Sequence, residues 1–341
     1  MAITFHSRSA VVAYQDLRRL HLDDRVSGFA GTIEERRRAG RIYLYERFRL
    51  GTEMKSRYLG EDTPELRTRI DAAASLREDA AARRARMSKL AAILRAEGFI
   101  RTDRETGSAL LAFAKAGMFR LGGTLVGTSA FALYEGELGL RMSYEDLAQT
   151  GDIDIASFER LSVALEDRVT EPPADTLAAL KFDPVPSLEG AQVWRWRQSR
   201  SETLVEFLTP AFGAEDIRPL PALGVSAQAL NYLNYLIAEP VQAVALYRAG
   251  VLVQIPRPER FALHKLIVAD RRRTGPDTLK SRKDRAQAAL LIEALSEERP
   301  DELKLAWEEA RAQGPRWRAR IEASLARMPE TRARLEALDA T

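Results

Sequence analysis

The 341-residue chain is 45% hydrophobic and 30% charged, with a formal net charge of +3. That content is enough for one sizeable core or for two to three modest domains. The sequence contains no cysteine, which excludes disulfides, thiolate nucleophiles and cysteine-ligated zinc and favours a cytoplasmic location.

The histidine positions and the hydrophobic pattern argue against a paired-histidine metal site and against a membrane-spanning helix. Only three histidines occur, His6, His21 and His264, and they form no paired metal motif. A metal site would therefore use oxygen ligands, which favours Mg²⁺ or Mn²⁺ over zinc. No run approaches the roughly 18 apolar residues that a spanning helix needs, so we expect no membrane association.

Residues 1–105 are predicted to form a basic N-terminal extension with a hairpin and a long helix. "RIYLYERFRLG" and "MKSRYLG" are rich in aromatic and β-branched residues and predict two strands that turn near Gly51. Thr63 is the expected N-cap of the helix, and Pro64 suits its first position. Gly98 lies just past the expected helix end.

The predicted hairpin carries basic side chains interleaved with aromatic ones. Such strands can stack bases and neutralise phosphates, which favours RNA, including tRNA, as acceptor or partner. The alternative is an ordinary amphipathic hairpin whose aromatic side chains are core. The residues concerned are Arg41, Arg47, Arg49, Lys55 and Arg57 with Tyr43, Tyr45, Phe48 and Tyr58.

Residues 106–225 alternate between helical and strand patterns and predict the central domain. "SALLAFAKAGM", "TSAFALYEG" and "FERLSVALED" are typical of helices, whereas "FRLGGTLVG", "DIDIA", "QVWRWRQ" and "TLVEFLTP" are typical of strands. Residues 226–341 predict a hairpin in "VQAVALYRAGVLVQIP" followed by amphipathic helices. The expected fold class is α+β, a mixed β-sheet core with helices and a helical C-terminal region.

A glycine turn in the central domain is the first candidate site. "LVGTSAFALY" places Gly127, Thr128 and Ser129 between a predicted strand and a predicted helix. Free N–H groups and small hydroxyl residues at a helix start suit a phosphate. Taken alone, such a glycine more often serves only the geometry of the turn.

Three acids follow the turn. Asp152 and Asp154 alternate with apolar residues in "TGDIDIAS", which predicts both carboxylates on one side of a strand. Glu206 lies between apolar residues in "TLVEFLTP" and can join them from a neighbouring strand. Paired carboxylates can hold divalent metal ions at a phosphoryl group, although each acid alone also fits a solvated strand.

In this order, Gly127-Thr128-Ser129, Asp152-Ile153-Asp154 and Glu206 resemble the nucleotidyltransferase-fold superfamily, which includes β-type DNA polymerases and toxin–antitoxin nucleotidyltransferases. The likeness is greatest to bacterial proteins known only by this fold. It implies that the glycine turn holds nucleotide phosphates and that the first two acids bind Mg²⁺ or Mn²⁺. The third acid, Glu206, would share the metal and help to activate the attacking hydroxyl.

The resemblance continues less specifically into "HKLIVADRR" and "KDRAQA". It implies that Lys265 contacts the nucleotide phosphates, a role that suits a mobile point charge. A solvated lysine is the equally weighted alternative. Asp284 could orient Lys265, but helix capping or a surface ion pair fits as well.

The expected activity is transfer of an NMP from an NTP, ATP among the candidates, to a hydroxyl on RNA, tRNA or a protein. One alternative is a non-catalytic nucleotide-binding regulatory or antitoxin-like module. Another is a nucleotidyltransferase that modifies a small molecule. The sequence names neither the base nor the acceptor.

Overall fold

A computed structural model describes most of the chain. The described residues are 3–26, 31–38, 40–50, 53–64, 66–68, 70–71, 80–119, 121–142, 152–157, 172–186, 192–221, 223–274 and 276–339. The predicted helix "FERLSVALED" lies outside these residues.

The N-terminal zone contains a helix and a three-stranded antiparallel sheet: α1 (Arg8–Val26), β1 (Thr32–Arg38), β2 (Arg41–Leu50) and β3 (Glu53–Glu61). The predicted hairpin is confirmed, since β2 pairs with β3 and Leu50 lies opposite Glu53. Strand β1 was not predicted, because "TIEERRR" has no apolar alternation. Its pairing with β2 supplies the hydrogen bonds that make it a strand.

The structure has helical residues at both ends of the predicted long helix. The hydroxyl of Thr63 accepts a hydrogen bond from the N–H of Leu66 at 3.2 Å, as an N-cap does. Residues 72–79 of the predicted helix lie outside the described residues, and α2 (Ala80–Ala96) forms the C-terminal part. Gly98 follows with a φ of 85°, a left-handed conformation that glycine adopts without a steric penalty.

A mixed seven-stranded sheet with flanking helices forms the centre of the chain. Its order is β4-β5-β8-β10-β9, and β7 pairs with both β6 and β8. The helices are α3 (Arg104–Ala116), α4 (Gly127–Phe131), α5 (Tyr134–Leu138) and α6 (Pro173–Ala179). The strands are β4 (Thr124–Val126), β5 (Ile153–Ala156), β6 (Phe182–Pro184), β7 (Arg195–Gln198), β8 (Leu204–Pro210), β9 (Ile217–Leu220) and β10 (Val225–Leu230).

Strand β4 is shorter than the predicted "FRLGGTLVG". Gly117 ends α3 in a left-handed conformation, and Gly122 also has a positive φ, so the chain turns between them. Phe119 and Leu121 are buried in that turn. These residues are apolar because they are buried in a loop. In a sequence, the apolar pattern of a buried loop looks the same as that of a buried strand.

The C-terminal zone has the predicted hairpin and a set of packed helices. The hairpin joins β11 (Val241–Ala245) to β12 (Val251–Ile255). The helices are α7 (Leu233–Leu236), α8 (Pro258–Arg271), α9 (Thr278–Glu298), α10 (Pro300–Ala312), α11 (Pro315–Leu325) and α12 (Pro329–Leu338). Helix α8 contacts α9, α10 and α11 and is buried along nearly its whole length. The α+β class with a mixed sheet is thus confirmed.

The N-terminal helices pack on the C-terminal hairpin. Tyr14 of α1 accepts a hydrogen bond from the N–H of Val244 at 2.9 Å, and Leu17 and Leu94 join the same apolar cluster. The domain boundaries near residues 105 and 225 remain predictions. Within the described part of the chain, every helix is too short or too polar to cross a membrane.

Candidate active site

The turn after β4 brings Gly127 against the carboxylate of Asp154. Val126 pairs with Asp154 across the antiparallel strands β4 and β5. Gly127 has a φ of 68°, and a Cβ added there would collide with Oδ2 of Asp154. Both the backbone conformation and the close approach therefore require glycine. The turn and the acidic strand form one structural unit.

A second contact ties the turn to the start of β5. The hydroxyl of Ser129 donates a hydrogen bond to the carbonyl oxygen of Asp152 at 2.9 Å. Thr128 and Ser129 also line a cavity of about 280 Å³ with residues 100–103, 105 and 106 and with Thr203. The three turn residues singled out in the sequence thus lie beside the DxD strand, with space next to two of them.

Asp154 and Glu206 are direct partners in the parallel pairing of β5 and β8. Neighbouring strands are about 4.8 Å apart, so their carboxylates project side by side. Their chain neighbours Ile153, Val205 and Phe207 are fully buried on the opposite side of the sheet. Asp152 is close enough to raise the pKa of both acids. We call Asp152, Asp154 and Glu206 the acidic face.

Crowding of like charges changes the protonation of this face. Burial, followed by the charges of Glu206 and Asp152, raises the pKa of Asp154 to about 7. Burial and Asp152 likewise raise the pKa of Glu206. Two neighbouring carboxylates resist simultaneous ionisation unless positive charge is added. The acidic face therefore favours binding of a cation.

Helices α8 and α9 supply positive charge close to the acidic face. Nζ of Lys265 donates to Oδ1 of Asp284 at 2.6 Å, and Arg272 donates to Oδ2 of the same carboxylate at 2.9 Å. Lys265 and Arg272 both lower the pKa of Asp154, although less than burial and the two acids raise it. Asp284 is almost fully buried and holds the two cations in fixed positions.

Two more cations belong to this surface. The charge of Lys280 lowers the pKa of Glu206, and the charge of Asp152 raises the pKa of Lys283. Burial and the neighbouring Lys265 lower the pKa of Lys283, which Asp284 and Asp152 partly offset. We call Lys265, Arg272, Lys280 and Lys283 the basic face. Of these residues, only Lys265 was singled out from the sequence.

The other three were missed because runs such as "DRRRTG" and "KSRKD" look like solvated charge in a sequence. The signal that was present is a basic stretch, residues 271–285, that contains only two acids, Asp277 and Asp284. Arg195 of β7, opposite Glu206 in the register, was also missed. It lowers the pKa of Glu206.

His264 lies next to Lys265 but does not serve as an acid. Burial and the positive charge of Lys265 lower the pKa of His264 to about 3. The imidazole is therefore neutral near pH 7.

The donor set fits a hard divalent cation that shares ligands with a substrate. Among the described residues, no three acidic or histidine side chains converge into a complete metal site. Asp154 and Glu206 nevertheless offer paired carboxylate oxygens. Mg²⁺ is usually held by one or two carboxylates together with water and substrate phosphates, so an incomplete protein site is what this chemistry needs.

Ion pairs in the N-terminal sheet bear on its predicted role as a nucleic-acid surface. Arg36 lies over the ring of Tyr45 at 4.3 Å and pairs with Glu34, and Arg41 pairs with Glu61. These acids reduce the positive charge that phosphates would meet. The side chains of Phe48, Arg49, Lys55, Arg57 and Tyr58 lie outside the described residues. RNA binding by the hairpin stays a prediction.

Comparisons with known proteins cover the central zone and most of the C-terminal zone. A family model described as Nucleotidyltransferase matches residues 104–312, well over half of the chain. No curated protein matches the sequence. A solved structure of an antigenic nucleotidyltransferase-like protein from Paracoccidioides brasiliensis is similar over 64% of this chain and 92% of its own. The identity is 15% and the TM-score 0.32, too low to support any argument about this chain.

Proposed function

The chain belongs to the nucleotidyltransferase family, and we propose that it transfers an NMP from an NTP to a hydroxyl acceptor in a metal-dependent reaction. The observation that carries the proposal is the pairing of Asp154 with Glu206 in adjacent strands, beside the glycine turn at Gly127. Lys265 and Arg272 provide positive charge close to those acids.

The acidic face would hold Mg²⁺ or Mn²⁺ through Asp152, Asp154 and Glu206. Such an ion supplies charge neutralisation and polarisation at a phosphoryl group when it is bound. The protein keeps the carboxylates at fixed spacing through the β5–β8 register and through the Ser129 hydrogen bond to Asp152. Burial, followed by the charges of neighbouring acids, raises the pKa of Asp154 and of Glu206, and added positive charge relieves the repulsion among these acids.

In the transfer, the acceptor oxygen forms a bond to the α-phosphorus and the bond to the bridging oxygen breaks. Pyrophosphate leaves with the electron pair of that bond. Glu206, next to Asp154 across the β5–β8 pairing, would help to activate the hydroxyl by taking up its proton. Lys265, Arg272 and Lys283 are placed to offset the charge of the triphosphate and of the leaving group. Positioning and charge account for most catalysis in phosphoryl transfer.

The backbone N–H groups of the glycine turn would hold the nucleotide phosphates. Gly127 allows the backbone to approach the carboxylate of Asp154, so phosphate and metal ligands come together. Thr128 and Ser129 border the cavity beside the turn. Helix α4 is too short to supply a strong dipole, so the individual donors matter more.

The test incubates the purified protein with each of four α-labelled NTPs, Mg²⁺ or Mn²⁺, and total RNA, total protein or small hydroxyl compounds. We expect label on one acceptor class with wild type and none with Asp154→Asn. Glu202→Gln, an exposed acid four residues before Glu206, is the matched control and should retain transfer. Binding without transfer would favour a regulatory module, and equal transfer by Asp154→Asn would refute the proposed site.

A further inference from the structure

A groove of about 910 Å³ lies away from the acidic face. It is formed by the turn after β8, the start of α7, the end of α8 and the start of α11. Its volume is in the range of sites that bind nucleotide-sized ligands.

Aromatic rings border the groove. Phe212 is 69% exposed, one of the most exposed large apolar side chains described. Trp317 packs edge-to-face on Tyr232 and Tyr235, at 4.9 and 5.4 Å between ring centroids. The tryptophan is therefore held rigidly, whereas the phenylalanine is free in solvent. A fixed ring and an exposed ring in one groove suit stacking of unpaired bases.

The polar lining is predominantly basic. Three arginines and one glutamate contribute to it. Arg271 pairs with Glu215 at 2.7 Å, and Arg320 pairs with Asp270 outside the lining at 2.9 Å. Arg316 is exposed and forms no ion pair or hydrogen bond with any described residue. It is the cation that remains available to a phosphate.

The backbone is strained where the groove meets α7. Tyr232 has a φ of 72°, which is unfavourable for a residue with a Cβ. The conformation is held by Arg320, whose Nε donates to the tyrosine hydroxyl at 3.1 Å, and by the ring of Trp317. Strain of this kind is retained where a side chain must be positioned. Here it places an aromatic ring between two arginines.

The groove connects to the catalytic region through adjacent residues. Arg271 lines the groove, and Arg272, the next residue, belongs to the basic face. Along β8, Ala211 at the groove lies five residues beyond Glu206, about 17 Å of extended strand. A few nucleotides of single-stranded chain span that distance. An acceptor anchored in the groove can therefore extend to the acidic face.

We propose that this groove binds unpaired nucleotides of a single-stranded RNA acceptor, with bases on Phe212 and Trp317 and a phosphate on Arg316. That this RNA is the acceptor rests on the proposed nucleotidyl transfer. The binding itself does not depend on catalysis. Base stacking and one free arginine favour binding of a single strand with little sequence preference.

The experiment measures binding of a fluorescein-labelled 12-nucleotide single-stranded RNA by anisotropy, in EDTA and without NTP. Phe212→Ala should weaken binding about tenfold, since one stacking partner is lost. Arg316→Ala should weaken binding and make the slope of log K against log salt shallower by about 0.7, as expected for one phosphate contact. Both side chains are exposed, so neither variant should affect folding.

Leu305→Ala and Arg318→Ala are the matched controls, because both residues are exposed on α10 and α11 but do not line the groove. They should bind RNA as wild type does. Equal affinity and equal salt slopes in Phe212→Ala and Arg316→Ala would overturn the inference, even if the protein transfers NMP. RNA binding that these variants weaken would support the groove, even if wild type transfers nothing and the proposed function fails.

Discussion

On the sheet, Asp154 and Glu206 lie side by side with another acid as a close neighbour, whereas Lys265 and Arg272 on the helices share the carboxylate of Asp284. The acidic face thus carries excess charge of one sign, whereas two of the four cations of the basic face share a buried counter-ion. The difference indicates that the fold fixes the positions of Lys265 and Arg272, whereas repulsion within the acidic face is left for an added cation to relieve.

The largest expected effect comes from neutralising the acidic face. Glu206→Gln and Asp152→Asn should each reduce the transfer rate by about a thousandfold or more, because lost charge stabilisation acts directly on the transition state. Circular dichroism should show an unchanged fold. Single-turnover rates measure the effect, and a reduction below tenfold in both variants would remove the acidic face from catalysis.

The free energy of unfolding should depend more on the contacts of the basic face than on those of the acidic face. Asp284→Ala leaves Lys265 and Arg272 without their shared buried partner, so we expect a loss of about 3 kcal/mol in the free energy of unfolding. Urea denaturation measures it. Asp277→Ala, near the start of α9 in an exposed ion pair, is the control and should cost about 0.5 kcal/mol or less. Equal losses would show that Asp284 does not organise the basic face.

Gly127→Ala tests the contact between the turn and the acidic face. The left-handed φ and the collision with the Asp154 carboxylate should together cost about 2 kcal/mol in unfolding free energy. The displaced carboxylate should also lower transfer. Gly40→Ala is a useful comparison, since Gly40 has a similar φ and open space around it. If both variants lose the same stability, the Asp154 contact contributes nothing.

A further effect depends on pH. The pKa of Asp154 is about 7 in the folded protein and about 3.8 in the unfolded chain. The unfolded state therefore ionises first, and wild type loses stability as pH rises from about 4 to 7. Asp154→Asn removes that loss, so in EDTA its stability relative to wild type should increase by about 4 kcal/mol between pH 4 and pH 8. A pH-independent difference between the two proteins would contradict the raised pKa.

Much of the central site could be predicted because its signals are local. The DxD alternation, the glycine turn and an acid within an apolar strand each follow from side-chain periodicity. The sequence suggested that Glu206 lies near Asp154, but it could not show that the two residues pair directly. They are 52 positions apart, and sequence does not fix a parallel register.

Arg272, Lys280 and Lys283 could not be assigned from sequence, since their role depends on how α8 and α9 pack near the sheet. Lys265 shows the same limitation. Its pattern gave a solvated lysine equal weight, yet the structure buries it against Asp284. Tertiary packing decides which members of a basic run meet a buried acid.

The measurement that tests the central claim most directly follows the α- and γ-phosphates of the NTP separately. The protein is incubated with the acceptor, a divalent metal and an NTP labelled separately at the α- and γ-phosphates. We predict that α-label enters the acceptor and γ-label appears in pyrophosphate in equal amounts, and that both require the metal and Asp154. Incorporation of γ-label into the acceptor, or release of free phosphate without α-label transfer, would contradict nucleotidyl transfer.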